Sequence, residues 1–173
     1  MTKLVALSVS IGILAVVATW LALGPLAGIY IVWAGFIAWA GYFIAGGNNA
    51  ALKTTIICGI WGVVCAWVAG LILTHVAIEL PANLWPAIVV GVTVLVLCLG
   101  AHVEALSNIP ISVLGYAATA AVMLMGGALT AEGSGALTAA NFSNPLITVS
   151  VSVVIGTVFG MLSGKLAGAL GKG

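Results

Sequence analysis

Two stretches decide how this chain is read. The first is Gly35-Phe36-Ile37-Ala38-Trp39-Ala40-Gly41-Tyr42-Phe43-Ile44-Ala45-Gly46-Gly47. The second is Gly115-Tyr116-Ala117-Ala118-Thr119-Ala120-Ala121-Val122-Met123-Leu124-Met125-Gly126-Gly127. At an offset of 80, glycine falls on glycine, aromatic on aromatic and Gly-Gly on Gly-Gly. A second correspondence follows each. Gly62-x3-Ala66-x3-Gly70 matches Gly156-x3-Gly160-x3-Gly164 at an offset of 94. The extra 14 residues fit the longer loop from Ala131 to Asn144. Such self-similarity predicts an internal repeat.

The surroundings say where a repeat of this kind lives. Of 173 residues, 64% are apolar and 4% charged, and mean hydropathy is +1.36. The charged set is Lys3, Lys53, Glu79, Glu104, Glu132, Lys165 and Lys172. A soluble domain carries about 25% charged residues, so seven cannot clothe a water-exposed surface. No basic patch exists to neutralise phosphates, which excludes a nucleic-acid partner. Disordered chains are poor in apolar residues, so the composition points to an all-α integral membrane protein whose main partner is the lipid bilayer.

A membrane helix needs about 20 apolar residues. Six such spans are expected, at about 4–23, 26–45, 54–73, 86–104, 110–130 and 145–163, in a single transmembrane domain covering 1–173. Gly24-Pro25, Gly46-Gly47-Asn48-Asn49, Pro81 and Pro86, Ser107-Asn108-Ile109-Pro110 and Asn144-Pro145 mark the breaks. Asn144 suits a helix cap and Pro145 a first turn. Met1-Thr2-Lys3 before an apolar run is read as a retained first span, because the run is longer than a signal-peptide core and lacks an A-x-A site. Six spans place the four lysines on one side and Glu79 and Glu132 on the other, so both termini are expected in the cytoplasm. Three spans per unit give an inverted 3+3 repeat, an arrangement typical of channels and transporters.

On span two, Phe36, Trp39 and Phe43 share one helical face. Their repeat partners are Tyr116, Thr119 and Met123. Two such faces meeting would form a narrow, mostly apolar slot, and these six residues are the expected solute path, with Trp39 near Thr119. The small-residue series Gly62/Ala66/Gly70 and Gly156/Gly160/Gly164 are expected to serve close helix packing, on each other or between subunits. Gly46-Gly47 reads as a helix end, whereas Gly126-Gly127 is placed inside span five. Short spans with glycine faces predict a homo-oligomer, trimer or larger.

No catalytic set and no metal-ligand spacing is visible, and no cofactor is expected. Cys58, Cys65 and Cys98 read as small packing residues. His75 with Glu79, and His102 with Glu104, are expected at the ends of spans, where water reaches them. Hence the expected function is passive: a channel or facilitator for a small neutral solute such as urea or a short amide. The alternatives are a non-conducting structural or accessory subunit, and an ion-coupled small-cation transporter, which would need an embedded carboxylate.

Certain motifs fall in a familiar order: Trp33-Ala34-Gly35-Phe36, Tyr42-Phe43, Leu52-Lys53, Ile109-Pro110 before a Gly- and Ala-rich span, and Gly156-x-x-Phe159-Gly160. In these the chain resembles the YcdZ-like family of small bacterial inner-membrane proteins, over about residues 5–165. Gly46-Gly47-Asn48-Asn49 and the loop 131–144 depart from it. The resemblance implies location in the bacterial inner membrane and a topology; it implies no substrate.

Overall fold

A computed structural model describes residues 1–81 and 84–171; Lys172 of the expected lysine set lies outside them. Among the described residues there are six α-helices and no strand. They are α1 (Lys3–Leu23), α2 (Val32–Ile44), α3 (Asn49–His75), α4 (Leu84–Leu99), α5 (Ile109–Met125) and α6 (Pro145–Leu170). Four helical stretches are long and apolar enough to cross a membrane: Lys3–Leu23, Asn49–His75, Leu84–His102 and Pro145–Leu170. The other two, α2 and α5, have only 13 and 17 residues.

Local chemistry sets the ends. Thr2, Asn48, Asn108 and Asn144 each accept from a backbone N–H in the first turn of α1, α3, α5 and α6, satisfying one of the donors a helix start leaves free. Pro145 and Pro110 occupy first-turn positions where no donor is lost. α2 lacks such a cap. Its leading N–H, on Ile31, is instead met by Ser152 Oγ of α6 at 2.9 Å.

Several expected boundaries move. The second span was expected from residue 26, but Gly28 at φ +77° turns the chain and helix begins only at Val32. The fourth was expected to reach 104, yet α4 stops at Leu99 and continues as two short 3₁₀ turns, Gly100–His102 and Glu104–Leu106. The fifth was expected to run through Gly126-Gly127 to 130. Gly127 instead adopts φ +69° and α5 ends at Met125, with Ala128 N–H closing back on Met123 C=O at 3.0 Å. α2 closes in the same way: Gly46 and Gly47 have positive φ, and Gly47 N–H reaches Tyr42 C=O at 2.9 Å. Both glycine pairs are helix stops, since a left-handed residue after the last turn is what this closing bond requires. α3 and α6 are longer than expected, their polar ends remaining helical.

Packing does not follow chain order. α2 lies chiefly along α6, and α5 chiefly along α3; α1 lies on α6, and α4 on α3. Two three-helix groups result, α1-α2-α6 and α3-α4-α5, and three apolar clusters map onto them. One, with Ala18, Tyr30, Trp39 and Phe159, fills the first group. Another, with Cys65, Leu97, Tyr116, Met123 and Leu137, fills the second. The third, with Ala34, Ala38, Val63, Ala118, Val149 and Val153, lies on the seam between the groups.

Glycine sets the intimacy of each group. A methyl on Gly62 would overlap the Ser112 carbonyl of α5, and one on Gly156 would overlap the Gly35 backbone of α2. Gly160 lies under the Tyr42 ring, and Gly70 under Met123 sulfur. The small-residue series therefore pack neither on each other nor outward. Each seats one short helix. Backbones approach this closely only where no side chain intervenes.

Candidate functional site

The two short helices meet at the seam. α2 brings Ala34, Ala38 and Gly41; α5 brings Ile111, Gly115 and Ala118. Gly115 sits on the Gly59 backbone of α3, and Gly59 in turn lies against Val153 of α6. The four helices enclose a crevice of about 10 Å³, with Thr55 at its edge. That is space for about one water molecule. The walls are alkyl carbon almost throughout, so a water there would find few of the two to four partners it needs. As it stands the crevice is narrow and apolar.

The six residues expected to line a solute slot fall in different places. Phe36, Trp39 and Phe43 do share a face, but it turns toward α1 and α6. Trp39 stacks on Phe159, centroids 5.7 Å apart, and its Nε1–H donates to Ser163 Oγ at 3.0 Å. Ser10 Oγ donates to the Ser163 carbonyl at 2.6 Å, tying α1 to the same point. Phe36 meets Trp39 edge-on at 5.9 Å and is partly exposed. An apolar groove of about 440 Å³ runs along this face, between Ile11 and Ala15 of α1 and Phe36, Trp39, Ala40 and Phe43 of α2.

On α5, Tyr116 and Met123 turn the other way, into the α3-α4-α5 group. Tyr116 hydroxyl lies 2.9 Å from Thr93 Oγ1 of α4. Thr119 is buried and donates to its own helix, at the Gly115 carbonyl, 2.9 Å away. The expected proximity of Trp39 and Thr119 is therefore replaced: Trp39 belongs to the α1-α2-α6 cluster, and the helices cross through alanine and glycine. At that crossing the small face of α2 receives the Ile111 and Leu114 side chains of α5 at Gly41. The sequence reading chose the conspicuous face of each helix and passed over the small one. Ala34, Ala38, Gly41, Ala118 and Thr55 were missed. The periodic small residues of both short helices were the available signal; Thr55 carried none.

The remaining singled-out residues lie at the bundle's ends or inside it. Glu104 borders an open pocket with Lys53 and Thr54 at one end, beside the α5 start. His75 is exposed at the end of α3, with Nδ1 3.0 Å from the Leu71 carbonyl. Trp67 and Asn144 bind the long loop: both Trp67 Nε1 and Asn144 Nδ2 donate to the Leu137 carbonyl, at 2.8 and 3.0 Å. Cys58 Sγ donates to the Ala105 carbonyl of the connector before α5 at 3.4 Å. Cys58 and Ser152 are related by the same offset of 94, and each holds the connector that leads into a short helix.

Fold and site together describe an apolar helical bundle of a kind compatible with a membrane protein, built around two short helices crossing at its centre. The chain belongs to the family described as protein of unknown function (DUF1097), whose model matches residues 8–168. No curated protein and no solved structure matches it.

Proposed function

We propose that this is a six-span protein of the bacterial inner membrane that passes a small neutral solute, such as urea or a short amide, and that the narrow seam between α2 and α5 is its path. The observation that carries the reading is the pair of short helices. Short or glycine-interrupted segments at corresponding places in two halves are a pointer to a transport site. At 1.5 Å per residue, α2 and α5 span roughly 20 and 25 Å, less than the roughly 30 Å of hydrocarbon. The connectors at 24–31 and 100–108 complete each crossing. Ser152 and Cys58 tie these largely exposed connectors to α6 and α3 at Ile31 and Ala105.

An inverted 3+3 repeat belongs to the same proposal. Exchange of α1 with α4, α2 with α5 and α3 with α6 turns the principal packing pairs into one another. Phe43 near Gly164 corresponds to Met123 over Gly70. The kinship with YcdZ-like proteins, cytoplasmic termini and assembly as a trimer or larger complete it. Exposed apolar residues along α1 and α4, among them Ile13, Val16, Val92 and Leu95, leave ample surface for lipid or neighbouring copies.

Stopped-flow uptake in proteoliposomes over a panel of small solutes tests the reading. Entry of an amide faster than into protein-free liposomes is expected. Rates equal to the protein-free control for every solute would end it, and favour a non-conducting accessory subunit. The smallness of the crevice is the observation that speaks for that second reading.

A further inference from the structure

Thr55 stands in the second turn of α3 and is 1% exposed. Its hydroxyl has no hydrogen-bond partner. Other buried helix hydroxyls here are satisfied. Thr93, Thr119, Ser152 and Thr157 donate to the carbonyl four residues back, the usual local solution for Ser and Thr inside helices. Rotation about χ1 would offer Thr55 the same bond, to Ala51. Instead its methyl lies against Gly41 of α2 and the hydroxyl is left without a partner. A buried polar group without a partner calls for an explanation. Tyr30 hydroxyl is the other such group among the described residues, but it sits over Gly35 inside the α1-α2-α6 group. Thr55 borders the seam.

We propose that Thr55 is the solute-contacting residue of the seam and that the solute is a short primary amide. This rests on the facilitator reading above. Thr55 is the one hydroxyl-bearing residue among the alkyl side chains and glycines that line the seam. With the seam widened beyond its present room for one water, an amide carbonyl can accept a hydrogen bond from the Thr55 hydroxyl while a methyl or ethyl end lies among Ala38, Ala118 and Ile111. Urea has no such end: its two amino groups would both face carbon, and polar groups moved from water to carbon without partners are disfavoured. An ion would be disfavoured far more strongly. The position at offset 94 from Thr55 is Val149, which is fully buried, so the seam carries this hydroxyl on one side only.

The test compares wild type, Thr55→Val and Thr55→Ser in proteoliposomes, with acetamide and urea as probes. Wild type should pass acetamide faster than urea. Thr55→Val keeps the shape and removes the hydroxyl. Its acetamide rate should fall about five- to tenfold, the size of one hydrogen bond, and Thr55→Ser should keep most of it. Thermal unfolding in detergent supplies the independent readout. Thr55→Val should unfold at a higher temperature than wild type, because it removes an orphaned polar group. Loss of transport together with gain of stability is not the behaviour of a packing residue. Unchanged acetamide uptake by Thr55→Val, with a conducting wild type, would overturn the role of Thr55 and leave the facilitator reading standing. Equal entry of urea and acetamide would overturn the solute class. A wild type that passes neither overturns the facilitator reading and this proposal with it.

Discussion

Trp39 shows how much one side chain can hold. It stacks on Phe159, bonds Ser163, and through Ser163 shares an anchor with Ser10 of α1. Truncation of a buried aromatic costs about 3–5 kcal/mol. Trp39→Ala should therefore lower the melting temperature markedly in detergent while leaving the acetamide-to-urea uptake ratio of the surviving protein unchanged. A changed ratio would return Trp39 to the path. Gly156 offers a sharper case. A methyl there meets the Gly35 backbone, which has no rotamer to yield, so Gly156→Ala should push α2 off α6 and reduce the yield of folded protein in size-exclusion profiles. Gly12 and Gly91 have open space around them, and alanine at either should cost little. These glycines look alike in a string of letters. Which of them meets backbone is settled by partners far along the chain, and that part of the site was not legible. Neither was Thr55, since an orphaned hydroxyl is a property of its surroundings.

At the scale of elements, the chain announced itself better. The Asn144 cap, the Gly24-Pro25 turn and the Gly46-Gly47 stop all fall where their chemistry puts them. Hydropathy alone misled where apolar residues continue past a helix end. Residues 26–31 are as apolar as the helices beside them, and backbone geometry separates them. Gly127 at φ +69° makes the stop of α5, so Gly127→Ala should destabilise by about 1 kcal/mol, read as a small shift in the unfolding curve. Asn144 does more. Its Nδ2 donates to Leu137 and Ala139 carbonyls while Oδ1 caps α6. Asn144→Ala removes a cap and leaves the part-buried Ala139 carbonyl without its side-chain donor, while Trp67 still serves Leu137, for a loss of about 2 kcal/mol. Proteolysis at loop 131–144 should quicken correspondingly, and an unchanged digestion rate would show that Trp67 holds the loop alone.

The whole molecule is two interleaved groups whose membership ignores chain order. α3-α4-α5 is continuous in sequence; α1-α2-α6 is not. Gly171 lies beside Ala6, so the two described ends of the chain share one end of the bundle. A circular permutant that joins the termini by a short linker and opens between α2 and α3 would make both groups continuous. It should fold, with a melting temperature within a few degrees of the parent. A permutant that aggregates while the parent is monodisperse would argue against the grouping.

The same interleaving has a consequence in time. At roughly 5–20 residues per second, α6 leaves the ribosome on the order of ten seconds after α2. Throughout that interval α1 and α2 exist without the helix that seats them. Ser10, Ile31 N–H and Trp39 Nε1 have no partner, because all three partners lie on α6. The α3-α4-α5 group meanwhile has all three of its helices and lacks only the Val149 and Val153 side of the seam. Biogenesis thus runs from the centre outward: the first 48 residues are made earliest and finished last. A chain cut short between the end of α5 and residue 145 would carry α1 and α2 without the Ser152 and Ser163 partners that α6 supplies.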